Sequence, residues 1–169
     1  MRRRIAKALL ASVGVLVLAW FGPSHILQHV GGAWEHPPEA LSSVLSERAR
    51  DLIRQALVDI DDSRLLDHHV HIAGLGHGGS GCSVHPDFDS WLDPLRRVRY
   101  EVYLSAGGVV DRDQADQQYI ARLTGLIEHS GHRGRYLLLP FDRHYHEDGR
   151  TDESHTEVQV PDAYARQLA

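Results

Sequence analysis

The chain has a single cysteine, Cys82, so it can close no disulfide within itself. An exported domain of this sequence would have to be stable without that cross-link. It also has no apolar run of the length an ordinary membrane span needs, about 20 residues. The longest run, Ala8 to Phe21, is interrupted by Ser12 and Gly14 and stops at Gly22-Pro23. Positive charge is scarce. The formal net charge is −5, with 18 Lys and Arg against 23 Asp and Glu. Four of the basic residues, Arg2, Arg3, Arg4 and Lys7, crowd the N-terminus, which leaves the rest more acidic still. Such a balance gives no electrostatic ground for a nucleic-acid partner. Internal repeats and low-complexity tracts are missing too. With 42% hydrophobic and 24% charged residues, wholesale disorder is excluded. The 169 residues suffice for one domain with one core.

The N-terminal pattern, basic residues and then a short apolar run, predicts a signal peptide or membrane anchor helix over residues 1–23. Trp20 and Phe21 stand where a cleavage site would need small residues, which favours an uncleaved anchor. The basic cluster should stay in the cytoplasm and put the body on the extracytoplasmic side, anchored or exported. The stretch Arg2 to Lys7 is also weakly similar to a twin-arginine export signal, although an ordinary signal with a few arginines is the favoured reading. Residues 24–38, with Gly31-Gly32 and Pro37-Pro38, read as a linker, and residues 39–169 as the domain.

Within the domain, Leu41, Val44, Leu45, Ala49, Leu52, Ile53, Ala56 and Leu57 recur at three and four, the spacing of an amphipathic helix. Leu65 to Ile72 (LLDHHVHI) reads as a short buried strand. Residues 95–106 fit either a strand or a helix. Asp111 or Asp113 can cap a helix running to Ser130, which Gly131 ends. Gly134 to Phe141 (GRYLLLPF) has the near-continuous apolar character of a strand covered on both faces, as in a parallel sheet. A polar loop, 142–157, precedes a last helix opening at Pro161-Asp162. The order is a β/α alternation.

Histidine is what the chain has in excess, 13 in all. On a strand, side chains alternate faces, so Asp67, His69 and His71 should point one way and Leu66, His68, Val70 and Ile72 the other. Two imidazoles on one face, two residues apart, can share a divalent metal. At this histidine content chance alone yields about one such pair, and His144 with His146 is a second one, in a charged loop that reads as solvated. What distinguishes His69 and His71 is the apolar strand, the neighbouring Asp67 and the five glycines between Gly74 and Gly81 that follow. Their bland alternative is a pair of buried histidines satisfied by backbone carbonyls. Gly74 to Gly79 formally fits the G-x-G-x-x-G of dinucleotide sites, but Ser80 to Pro86 is no helix to receive a pyrophosphate. Cys82 could be a soft ligand or a nucleophile near His85; a small residue packed on the glycine turn is the simpler reading.

Asp67-x-His69-x-His71 at the end of a first strand, with Gly74-Leu75-Gly76 and Gly78-Gly79-Ser80-Gly81-Cys82 after it, resembles the amidohydrolase superfamily, in particular the amidohydrolase-related group. The likeness extends to Tyr119, the Leu137–Phe141 stretch, Gly149, Thr156-Glu157 and Pro161. It implies an α/β fold, the N-terminal part of a (β/α)8 TIM barrel, incomplete here because such a barrel takes about 250 residues. The implied function is a metal-dependent hydrolase acting on a C–N or C–O bond of a small-molecule substrate, with decarboxylase chemistry among relatives. The resemblance makes His69 and His71 ligands of a divalent ion, most often zinc, and gives Asp67 the task of orienting an imidazole. It also implies a truncated form, or a second chain that completes the barrel. The alternative function is a non-catalytic, membrane-tethered, histidine-rich metal-binding protein. A remnant without a site is the third reading.

Overall fold

The computed structural model describes residues 36–131 and 134–169. The anchor expected over residues 1–23 and most of the linker lie outside them. Among the described residues no helix is long and apolar enough to cross a membrane. The chain divides into two compact units, one holding Asp87–Ala106 and the other residues 36–86 with Gly107–Ala169.

In the larger unit a 3-10 turn, Pro38–Ala40, leads into helix α1 (Leu41–Val44), and helix α2 follows at Glu47–Leu57. The single helix expected here is thus split. Leu45 and Ser46 are both extended, and the Ser46 hydroxyl caps the new start by accepting the Ala49 N–H at 3.2 Å. A serine oxygen there satisfies one of the orphan donors of the first turn, which makes a fresh N-terminus favourable. Strand β1 runs over Leu66–Ile72 and the two-residue strand β2 over Ser83–Val84.

The smaller unit resolves the ambiguous stretch in favour of a helix, α3 (Pro94–Ala106). Proline suits a first helical position. Asp93 lies just before it, and its carboxylate takes the Arg96 N–H at 3.1 Å. Tyr100 and Leu104, one turn apart, are the buried pair, and the Phe88 ring stacks on Tyr100 with centroids 5.2 Å apart. Arg97 lies 4.0 Å over the Trp91 ring.

Back in the larger unit, the Asp111 carboxylate accepts the Asp113 N–H at the turn that opens helix α4 (Ala115–His129), and Gly131, at φ 82°, follows its end. Strand β3 is Arg135–Pro140, strand β4 is Val158–Gln159, and helix α5 is Asp162–Leu168. Strand β3 pairs in parallel with β1, His71 opposite Leu139 and Ile72 opposite Pro140, with an irregularity between Asp67 and Val70. Strands β2 and β4 form a separate antiparallel pair.

The expected barrel portion is therefore corrected to a small α/β domain. A barrel needs a continuous ring of parallel strands, each hydrogen-bonded on both sides. Among the described residues only β1 and β3 are parallel, and the other two strands are short and antiparallel to each other. The β/α order and the parallel pairing were both legible, but they are satisfied here by two strands.

The core lies on one side of the β1–β3 pair. Ile72, fully buried, meets Cys82 and Val160, and Ile120 and Leu123 of α4, Leu138 of β3, and Tyr164, Ala165 and Leu168 of α5 pack around them. The opposite face is open. Leu137 is 51% exposed, so β3 is not covered on both faces as its apolar run suggested. Only the alternate residue Leu138 is drawn into the core.

Candidate metal centres

The open face of β1 carries the two strand histidines. Val70 and Ile72 are buried while His69 and His71 are exposed, so the alternation holds from His69 to Ile72; before the irregularity Leu66, Asp67 and His68 are all exposed, and burial does not assign Asp67 to that face. The imidazoles converge: His69 Nε2 lies 2.9 Å from His71 Nε2, with the rings edge to face at 4.6 Å. His71 is held from three sides. Its Nδ1 meets the Leu139 carbonyl at 3.3 Å, its ring stacks on Phe141 at 4.6 Å, and its backbone carbonyl accepts the Tyr119 hydroxyl at 2.8 Å. The carbonyl contact places the His71 proton on Nδ1 and leaves the Nε2 lone pair facing His69. Burial raises the Tyr119 phenol above its ordinary pKa, so the hydroxyl remains a donor throughout the neutral range. Asp67 Oδ1 accepts the His69 backbone N–H at 2.9 Å and braces the strand at its irregularity.

Two imidazoles on one tetrahedral zinc, each about 2.0 Å from it, would have nitrogens about 3.3 Å apart. The 2.9 Å separation is within a small ring rotation of that value. Among the described residues no third His, Cys, Asp or Glu joins the pair. An open cleft of about 780 Å³ touches the beginning of the strand, lined by Leu41, Leu45, Ile53, Asp67, His68 and Tyr136 among others. His69 and His71 are not part of its wall.

The glycine loop turns out to be organised by a residue the sequence did not single out. Asp116, in the first turn of α4, is 1% exposed, and its carboxylate gathers the N–H groups of Leu75 and Gly76 and the hydroxyl of Ser80. Those N–H groups are thereby spent on an internal carboxylate. A side chain at Gly74 would meet Asp116 Oδ2 at 2.5 Å and Cys82 Sγ at 2.7 Å, so the loop closes onto that carboxylate only through glycine. Cys82 is buried in the core, and burial in the first place, with Asp116 adding to it, pushes its thiol pKa up against the Ser80 hydrogen bond. A neutral buried thiol is a packing group, neither nucleophile nor ligand.

The second His-x-His pair is also more organised than a solvated loop. His144 Nδ1, His146 Nδ1 and His155 Nδ1 lie 3.6, 3.7 and 2.6 Å from one oxygen, Oδ2 of Asp152. The side chain of Asp152 is 6% exposed. Its carboxyl is held well below the usual carboxylate range, first by the Ser154 hydroxyl, then by the hydrogen bond and charge of His155 and the charge of His146, with desolvation opposing. By sequence this loop reads as solvated; two spacings could have signalled the cluster, His144-x-His146 and, beginning eight residues after His144 and across a turn at Gly149, Asp152-x-x-His155.

Compared with protein-family models, with curated proteins and with solved structures, the chain finds no match. The likeness to amidohydrolases rests on the residues quoted above.

Proposed function

We propose that β1 carries part of the site of a metal-dependent hydrolase, with His69 and His71 as two ligands of a divalent ion, zinc by preference. The observation that carries this reading is the convergence of the two Nε2 atoms at 2.9 Å on an exposed strand face. Their donor chemistry fits: neutral imidazole nitrogens suit zinc, and the Leu139 carbonyl holds one ring in the required tautomer. When bound, such an ion lowers the pKa of a coordinated water to about 7, which supplies a nucleophile for a C–N or C–O bond at neutral pH. Asp67 fixes the His69 backbone, and the Tyr119 hydroxyl, on the His71 carbonyl, fixes the depth of β1 against α4. A catalytic zinc takes three protein ligands, so the site needs one more than the two that β1 provides.

The test is zinc content and hydrolysis of activated esters and anilides by the full chain. The expected result is one zinc lost per chain on joint His69→Ala and His71→Ala substitution, with any hydrolysis lost alongside. Unchanged zinc content in that double variant would sink the reading.

A further inference from the structure

We propose that the loop between β3 and β4 is a second divalent-metal site, formed by His144, Asp152 and His155, and that it binds zinc or a neighbouring transition ion independently of β1. The loop is built to bring these three together. Its two arms run antiparallel through the Tyr145–Thr151 bridge, and the turn between them closes with Gly149 N–H on the His146 carbonyl at 2.9 Å. Gly149 has φ 84°, which favours glycine at that corner. The Asp152 N–H donates to the His144 carbonyl at 2.7 Å, setting those residues opposite each other. A tight turn then returns the chain: the Thr156 N–H and hydroxyl both donate to the Asp152 carbonyl, at 3.1 and 2.7 Å. The same hydroxyl oxygen accepts the His144 N–H at 3.0 Å. Thr156 is buried, so one side chain locks all three segments.

The carboxylate is divided in its work. Oδ1 is taken up by the Ser154 N–H at 3.1 Å, the Ser154 hydroxyl at 2.6 Å and the His155 N–H at 3.3 Å. Oδ2 is turned to the imidazoles. One nitrogen each from His144 and His155 and one oxygen of Asp152 all lie within 4.8 Å of one another. The His144 Nδ1 separation from Oδ2, 3.6 Å, is close to the spacing of two donors on one tetrahedral ion. His155 Nδ1, now hydrogen-bonded at 2.6 Å, reaches that spacing by a small side-chain rotation. The turn itself needs only the bonds to Oδ1 and to the Asp152 backbone, so it gives no reason for a cluster of imidazoles on Oδ2. His146, 3.7 Å from that oxygen, is a further donor at the rim. The His144 and His155 side chains are 57% and 68% exposed, so an ion can enter from solvent and keep water in its open positions. Two imidazoles and a carboxylate select zinc, nickel, copper or iron(II) over calcium and magnesium, which prefer all-oxygen sites.

To separate this site from β1, the full chain carrying His69→Ala and His71→Ala is titrated with zinc chloride by calorimetry. Cobalt(II) is followed by its visible absorption. The expected result is one equivalent of zinc and a cobalt spectrum containing nitrogen ligands. Adding His144→Gln and His155→Gln should weaken zinc binding at least about tenfold and abolish the cobalt bands. Both side chains are exposed, so these variants keep the fold, which circular dichroism checks. His68→Gln with His129→Gln, two other exposed histidines, should change neither readout. The proposal is overturned if no zinc binds, if His144→Gln with His155→Gln leaves the affinity unchanged, or if the His68 and His129 substitutions weaken it as much. Zinc content left unchanged by His69→Ala with His71→Ala would sink the proposed function and leave this site standing.

Discussion

At the scale of single residues, Asp116 decides the most. It is a charged side chain in the first turn of α4, yet it is buried, because three donors of the glycine loop converge on it from about 40 positions earlier in the chain. A buried carboxylate is tolerated only with such partners. Asp116→Ala should cost about 3–5 kcal/mol, since it strands two backbone N–H groups and a hydroxyl away from water. A fall in thermal midpoint on the order of 10 °C would register this, and a change under about 2 °C would refute the clamp. The sequence held no sign of Asp116, because nothing local to a helix start tells a solvated aspartate from one that meets a distant loop. His69 and His71 were legible, by contrast, because the two-residue period of a strand is a property of the backbone itself.

At the scale of elements, the informative cases are the ones that broke pattern. The Leu41–Leu57 periodicity is real, but Ser46 competes with helix continuity by offering a cap to Ala49. Ser46→Ala should lower stability by about 1 kcal/mol, read as a shift in urea midpoint without a change of slope. An unshifted midpoint would mean the cap carries no load. The stretch that fitted both strand and helix became α3 because Asp93 and Pro94 make a helix start, a local device stronger than the weak alternation of Val98, Tyr100 and Val102. Strand β3 kept its parallel pairing but lost the expected second cover: Leu138 found α4 and α5, and Leu137 found solvent. An apolar run states that burial is affordable, and only a neighbouring layer can supply it.

At the scale of the whole molecule, the charge network of the β3–β4 loop should be felt in global stability. The Asp152 carboxyl has its folded pKa depressed, so it favours the folded state above its unfolded value of about 4. That contribution is lost as pH falls below about 4 toward the lower folded value. In chelator-treated protein, thermal midpoints should therefore decline through this acid range, and Asp152→Asn should flatten that part of the curve. An unchanged acid limb in the variant would assign acid sensitivity elsewhere.

By itself the sequence determined what is local and periodic. It set the order of α2, β1, α4, β3 and α5, the face shared by His69 and His71, the end of α4 at Gly131, and the parallel pairing implied by β/α alternation. Tertiary structure alone decided what depends on meetings between distant segments: a two-stranded parallel pair in place of a barrel portion, and the burial of Asp116. The gathering of His144 and His155 on Asp152 is made within one loop, by a turn that no periodicity announces. The physical reason is that periodicity and capping are energies of neighbours in the chain. A buried charge is stabilised only by partners that the fold brings from elsewhere.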